Sequence, residues 1–329
     1  MFDLITVLLK YFFAWLHIVL VFVVALLTEL AAGYLLNLKS PNPERKTFLN
    51  TYKYIRYVYK QGLPKSLKWK AYSKYCPILA FSALFPVCSI IPYFTFIPIM
   101  ENGADLLQIM QFLLLSEALA IISVYSLSSN ESTEFAGKMC VDCMCLYIPI
   151  LIFITSIATY RKYLGEMDRI FSLNVFPGFY ENNQINLLVC LGTAIFVFLI
   201  FSQMPHKSFN KGKYFANRYD IPSFSGVSRL LMSSWGLFRT FIVMCIIISL
   251  FYTFASVKIT DTLDIFSWGI QLISFLSFWL SVFAVRITLV PLSWLIYDKI
   301  ILIISEKNRI YYIATLSLLA IILIFWETI

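Results

Sequence analysis

The sequence predicts an all-α polytopic membrane protein with eight transmembrane helices in a single membrane domain, residues 1–329. Of its residues 60% are hydrophobic and 13% are charged, with a mean hydropathy of +0.79. A soluble domain would carry about a quarter of charged residues. Apolar stretches of about twenty residues recur along the chain, and each is long enough to cross the hydrocarbon core as a helix.

Eight apolar stretches account for the predicted spans, which we place at about 11–36, 76–98, 106–128, 143–160, 185–204, 237–256, 264–285 and 310–326. Residues 287–305, ITLVPLSWLIYDKIILIIS, are also apolar enough to insert, but Pro291, Asp298 and Lys299 interrupt them. We therefore predict that this segment is a partly buried connection at membrane level and not a ninth span.

Lysine and arginine are distributed unevenly between the two sides of the predicted bundle. The connections 37–75, 129–142, 205–236 and 286–309 share one side. Of the 26 basic residues, five lie on the other side, namely Lys10, Arg161, Lys162, Arg169 and Lys258. The positive-inside rule places the side with the remaining 21 in the cytoplasm or the mitochondrial matrix. With eight spans, both termini lie on the non-basic side, which is the intermembrane space or the periplasm.

The first basic loop contains a predicted amphipathic interfacial helix at about 47–61. Its apolar face carries Phe48, Tyr52, Ile55 and Tyr59, with Lys53, Arg56 and Lys60 beside it. One interpretation is a helix that lies in the membrane interface and attracts anionic lipid. The other is a docking surface for a soluble partner, or one wall of a site for an amphipathic ligand.

Few residues carry chemistry of their own. The CVDC sequence, Cys140 to Cys143, lacks the second cysteine pair of a structural zinc site, so we predict no metal. Glu29 and Glu117 fall within predicted spans, where a charge is costly and marks a functional hypothesis. We interpret both as candidates for a proton path. The alternative is a protonated or hydrogen-bonded carboxyl group buried between helices.

Six short segments carry a resemblance when taken in order: GYLLNLKSPN (33–42), RYVYKQ (56–61), CPILAF (76–81), SSNESTEFAG (128–137), NRYDIP (217–222) and RITLVPLSWLIYD (286–298). Together they resemble subunit 1 of respiratory complex I, the H chain of the bacterial enzyme. They resemble the membrane anchors of energy-converting hydrogenases more weakly. The resemblance covers about residues 24 to 300.

The resemblance implies a membrane subunit that joins the peripheral and membrane arms of NADH:ubiquinone oxidoreductase. It implies that the basic side forms part of the ubiquinone cavity and the start of the proton-coupling path. FMN and iron–sulfur clusters would belong to partner subunits, and this chain would bind no cofactor and catalyse nothing alone. Its expected partners are the other complex I subunits, ubiquinone and anionic lipid, without nucleic acid. The expected location is the mitochondrial inner membrane or, alternatively, the bacterial plasma membrane.

The matching segments also imply candidate residues for the quinone cavity, namely Arg218, Asp220, Arg286, Tyr297 and Asp298, with Lys39 and Lys60 as weaker candidates. Such cations and hydrogen-bond donors would orient a quinone headgroup and balance its charge on reduction. The alternative for each is a salt bridge between loops or subunits.

The sequence departs from the family in two places. After DIP it reads SFSGVSRLL where the family has glutamates, and CLYIPILI lacks the glutamate at the start of the fourth helix. In the family these carboxylates line the quinone chamber and begin the polar path. Three other functions stay open: a hydrogenase-type anchor, a scaffold subunit without a site, and a polytopic transporter. A transporter predicts polar residues that converge near the bilayer midplane.

Overall fold

The computed structural model describes residues 18–29, 31–32, 56, 60, 70–90, 105–127, 130–163, 171, 187–204, 224, 226–251, 265–304 and 308–326. In these residues the chain forms helices and no β-strand, and ten of the helices have described bounds. The helices are α1 (Ile18–Glu29), α2 (Lys70–Ser82), α3 (Leu84–Ile90), α4 (Leu106–Tyr125), α5 (Asn130–Tyr163), α6 (Leu187–Gln203), α7 (Gly226–Ser249), α8 (Ile265–Ile287), α9 (Leu289–Ile304) and α10 (Arg309–Phe325).

Four helical stretches are long and apolar enough to cross a membrane: Leu106–Tyr125, Asn130–Tyr160, Gly226–Ser249 and Leu276–Tyr297. Shorter apolar helices occupy Ile18–Glu29, Leu187–Gln203 and Arg309–Phe325. The predicted class, an all-helical membrane protein, is therefore confirmed for the described part of the chain. Helix formation follows from the solvent, because backbone groups in hydrocarbon must find their hydrogen bonds within the segment.

Two helices extend well beyond the predicted spans. α5 begins at Asn130 and α7 begins at Gly226, whereas the spans were predicted to start at 143 and 237. Hydropathy detects only the part of a helix at lipid depth, and a helix continues past it where polar residues face water or protein. Gly226 has a φ of 57°, a left-handed conformation that glycine adopts without a steric penalty, and it marks the start of α7.

The segment predicted as a connection at 287–305 contains α9. Pro291 lies in its first turn, where a missing backbone N–H leaves no helical hydrogen bond unmade. The N–H of Thr288 bonds the carbonyl of Ala284, and the N–H of Leu292 bonds the carbonyl of Thr288, so hydrogen bonding continues from α8 into α9. The apolar stretch Leu276–Tyr297 accordingly crosses the predicted boundary at 285.

α7 lies at the centre of the described bundle. Of its most apolar stretch 89% is buried, and a helix that is apolar all round belongs in a core. It packs against α2, α3 and α8. The Phe238 ring lies 5.6 Å from Phe22 of α1 and 5.8 Å from Phe81 of α2. α5, α6 and α10 form a second group, which contacts the first through α4 and contacts α9 through α6.

Gly192 allows the close approach of α6 and α10. A Cβ atom at this position would lie 2.7 Å from the carbonyl oxygen of Ala320 and 2.8 Å from Cγ1 of Ile324. We expect Gly192→Ala to destabilise the protein by about 1–3 kcal/mol because the backbone of α10 must move away. The measurement is thermal unfolding in detergent, followed by labelling of buried thiols such as Cys88 and Cys245.

Gly137→Ala is the matched control for this prediction. Gly137 lies within α5, and a Cβ atom there would meet nothing within 4 Å. Alanine has the higher helix propensity, so the control should unfold at the same temperature or slightly higher. Equal destabilisation by the two substitutions would contradict the packing explanation.

Candidate functional site

Glu29, at the end of α1, and Arg286, in the last turn of α8, form a buried ion pair. Nε of Arg286 donates to Oε1 of Glu29 at 2.7 Å, and Nη2 donates to Oε2 at 3.0 Å. The two residues are 3% and 1% exposed. This bidentate geometry gives the strongest hydrogen bonding between an arginine and a carboxylate. The alternative that the sequence left open for Glu29, a hydrogen-bonded carboxyl group buried between helices, describes this geometry, and its role in a proton path stays a prediction.

A small apolar cleft lies between α7 and the two helices of this ion pair, α1 and α8. Its volume is about 10 Å³, and it is lined by Leu20, Val21, Val24, Phe241, Phe278, Trp279 and Val282. The indole N–H of Trp279 donates to the hydroxyl of Thr28 at 2.8 Å, and that hydroxyl donates to the carbonyl of Val24 at 2.8 Å. Thr28 precedes Glu29 directly in the chain. The surface of the cleft is therefore apolar, and the Trp279–Thr28 hydrogen bond joins α8 to α1.

Glu117 belongs to a second buried ion pair, near the middle of α4. Its partner is Arg239 of α7, whose Nε donates to Oε1 of Glu117. The hydroxyl of Tyr147 from α5 donates to the same carboxylate oxygen at 2.9 Å. Three helices thus converge on one buried carboxylate. The alternative that the sequence left open, a hydrogen-bonded carboxyl group between helices, describes this geometry, and the role of Glu117 in a proton path stays a prediction.

Aromatic rings flank the guanidinium of Arg239. Its Cζ lies 5.5 Å from the ring centroid of Tyr147 and 5.7 Å from that of Trp235. Both distances are within the range of a cation–π attraction. The indole N–H of Trp235 donates to the hydroxyl of Ser116 at 2.7 Å, and Ser116 donates to the carbonyl of Ala80 in α2 at 2.6 Å. The polar groups around Glu117 therefore join α2, α4, α5 and α7.

Arg309, the first residue of α10, connects three helices. Its Nη1 donates to Oδ1 of Asp142 in α5 at 2.7 Å. Nε and Nη2 donate to Oε1 of Gln203, the last residue of α6, at 3.1 and 2.6 Å. Tyr297 of α9 is buried nearby, with its ring 6.2 Å from the ring of Tyr312. Tyr297, a predicted cavity residue, therefore lies away from Arg286 and close to a different cation.

The remaining predicted cavity residues are not brought together in the described part of the chain. Lys60 is helical and exposed, and it is one of only two described residues of the predicted interfacial helix. Asp298 lies in α9, but its side chain is outside the described residues. Lys39, Arg218 and Asp220 are also outside the described residues.

The two cysteines of the CVDC sequence and the neighbouring Cys145 differ in exposure. Cys140 is exposed, Cys143 is half-buried and Cys145 is buried, all as free thiols. Among the residues that the structure describes, no three His, Cys, Asp or Glu side chains are placed to hold a metal ion.

Sequence reasoning missed two of the cations in these ion pairs: Arg239, which pairs with Glu117, and Arg309, which pairs with Asp142. Arg239 stands in GLFRTFIV, inside the span predicted at 237–256, so an intramembrane cation was visible in the sequence. Arg309 falls at the end of a basic connection. No sequence signal distinguishes it there from neighbouring basic residues that would be solvated. Its role follows only from the packing of α10 against α5 and α6.

Comparison with known proteins adds no assignment. No protein-family model matches the chain, and no curated protein is significantly similar to it in sequence.

Proposed function

We propose that this chain is the membrane subunit of an NADH:quinone oxidoreductase that joins the peripheral arm to the membrane arm. The Glu29–Arg286 pair carries the proposal. Glu29 stands four residues before GYLLNLKSPN, and Arg286 is the first residue of RITLVPLSWLIYD. The last of the six family-like segments therefore begins at a buried contact with a residue that lies four positions before the first of them, far away in the chain. If the segments resembled the family only by chance, there would be no reason to expect Glu29 and Arg286 to lie in contact.

The helices α1 and α8 offer both kinds of group that an amphipathic quinone contacts. The apolar side chains around the cleft would pack against part of the isoprenoid tail, and the Trp279–Thr28 and Glu29–Arg286 contacts provide polar groups on the same two helices. Small-molecule sites commonly combine such apolar walls with a few directed polar groups. The cation of Arg286 would favour the negative charge that develops on a quinone during reduction. Electrons would come from FMN and iron–sulfur clusters in partner chains.

The wider arrangement belongs to the same proposal. Eight spans with both termini on the non-basic side would place the six family-like segments on or near the basic face. Glu29 and Glu117 would contribute to proton coupling, and the membrane would be the mitochondrial inner membrane or a bacterial plasma membrane. Partner subunits would cover the basic face, and anionic lipid would neutralise the remainder of a net charge of +8.

Purification of the full chain from its native membrane in mild detergent tests this function. We expect it to elute with many partner chains, flavin, iron–sulfur clusters and NADH:quinone reductase activity. A nickel–iron centre and hydrogenase activity in the same fractions would favour the hydrogenase-type anchor instead. Elution as a monodisperse monomer or homodimer without flavin would exclude both.

Filling the cleft is a sharper test of where the quinone binds. We expect Val24→Phe to raise the KM for quinone several-fold in the assembled complex, because the larger ring would cover the apolar side chains that the tail would contact. NADH oxidation by an artificial acceptor that bypasses the quinone should be unchanged. Val23→Phe makes the same change on the exposed side of α1 and should leave the KM unaltered. Equal effects from the two variants would place the quinone elsewhere.

One observation favours a transporter as a second candidate function. Glu117, Tyr147 and Arg239 meet near the middle of their helices, where a substrate or ion site of a transporter would lie. Their polar atoms bind one another, however, and the rings of Tyr147 and Trp235 cover the cation. Substrate-dependent flux through vesicles that contain only this chain would support the transporter. The absence of such flux, together with co-purified flavin, would support the proposed subunit.

A further inference from the structure

We propose that Glu117 is a proton-binding site whose counter-cation, Arg239, is retained by an aromatic cage when the carboxylate becomes neutral. The cage consists of the Tyr147 and Trp235 rings. The proton-transfer part of this inference rests on the proposed function, whereas the cage is a property of the chain alone.

Protonation of a carboxylate paired with arginine normally leaves the cation buried without compensation, and this is costly. Arg239 is 4% exposed and lies in the most buried helix of the described bundle, so water cannot replace a lost partner cheaply. The two ring faces provide that compensation in advance. A cation–π contact is stronger when desolvated, and it does not depend on the charge of Glu117.

The contacts of Glu117 also tolerate the neutral acid. The carboxylate accepts hydrogen bonds at Oε1 from Tyr147 and from Nε of Arg239. A proton on Oε2 would leave both acceptor contacts in place. In the part of the chain that the structure describes, the charged and titratable groups that contact Glu117 are Tyr147 from α5 and Arg239 from α7. From α2, the carbonyl of Ala80 holds the adjacent Ser116.

A hydrogen bond holds the Trp235 side chain in its position beside Arg239. It lies one helical turn before Arg239 on α7, so the two side chains occupy the same face. Its indole N–H donates to Ser116, the residue that precedes Glu117. The tryptophan that covers the cation is thereby attached to the helix that carries the acid. Loss of charge on Glu117 leaves this attachment between α4 and α7 intact.

A double-mutant cycle on the full chain in detergent tests the cage. The variants are Glu117→Gln, which mimics the neutral acid, Trp235→Leu, and their combination, with unfolding followed by exposure of buried thiols. We expect Glu117→Gln alone to lower the unfolding temperature modestly. Trp235→Leu should lower it much further in the Glu117→Gln background than in the wild type, because the ring is then a main partner of the cation.

Trp279→Leu is the control, because the indole N–H of Trp279 donates to Thr28 at a different helix contact, that of α8 with α1. Its effect should add to that of Glu117→Gln without coupling. Additive behaviour of Trp235→Leu as well, or complete unfolding by Glu117→Gln alone, would overturn the cage.

Proton binding is tested separately, in vesicles that contain the assembled complex. We expect Glu117→Gln to lower the number of protons moved per quinone reduced while the complex remains assembled. An unchanged ratio, with the thermal coupling present, would overturn the proton role and leave the cage as a stabilising device. A wild-type preparation without quinone reductase activity would contradict the proposed function but would not affect the thermal result.

Discussion

Arg286→Leu is expected to destabilise the protein by about 3–5 kcal/mol, the cost of breaking a buried ion pair from one side. The substitution removes both hydrogen bonds to Glu29 and leaves that carboxylate buried among apolar groups. The effect is large because neither side chain reaches solvent, so hydration cannot replace the lost contact. The measurement is the thermal or denaturant unfolding midpoint of the purified chain.

A second substitution separates the charge effect from the volume effect. Glu29→Leu in the Arg286→Leu background removes the isolated carboxylate, and the double variant should recover most of the lost stability. The exposed pair Lys138–Glu134 serves as the control, and Lys138→Met should leave the midpoint unchanged because water screens the interaction. A double variant as unstable as Arg286→Leu would show that packing, not charge pairing, matters at this contact.

Arg309→Met is expected to have the next largest effect, a loss of about 1–3 kcal/mol. It removes three hydrogen bonds at once and leaves Asp142 without its cation and Gln203 without its donors. We expect a smaller loss than at Arg286 because the Arg309 and Asp142 side chains are 14% and 11% exposed, so water partly compensates. Chymotrypsin sensitivity at Tyr311 and Tyr312, near the start of α10, should increase together with the loss of thermal stability.

Arg309→Lys distinguishes the geometry of the guanidinium from its charge. Lysine keeps the positive charge but cannot donate along the fixed directions that reach Asp142 and Gln203 together. We therefore expect Arg309→Lys to recover only part of the stability lost in Arg309→Met. Full recovery would show that charge alone is sufficient, and the interhelical bridge would then lose its geometric explanation.

The sequence predicted helices well where apolar length alone decides them. α4 and α10 begin and end close to the predicted spans at 106–128 and 310–326. Prediction was poorer where helices leave the lipid or contain proline. α7 begins earlier than predicted because its first turns contain polar residues such as Arg229 and Ser233. These residues lower the hydropathy of the segment but do not end the helix. α9 contains Pro291 in its first turn, a position where proline does not end a helix.

The candidate site was only partly predictable for a related reason. Glu29 and Glu117 were recognised because an acid at membrane depth is rare, but the cations that neutralise them were not assigned. Pairing across 257 and 122 residues depends on which helix faces which, and hydropathy contains no such information. The same holds for Arg309, which reaches Gln203 and Asp142 only because α10 packs against both α6 and α5.

The sequence by itself determined that the chain is a membrane protein, that it is helical, and that it carries acids at membrane depth. Each of these follows from composition and from the length of local apolar stretches. The tertiary structure alone decided the partners: Arg286 for Glu29, Arg239 and Tyr147 for Glu117, and Arg309 for Asp142. The physical reason is that the free energy of transferring a segment from water to lipid depends on that segment alone. A buried ion pair depends on how two helices are placed against each other.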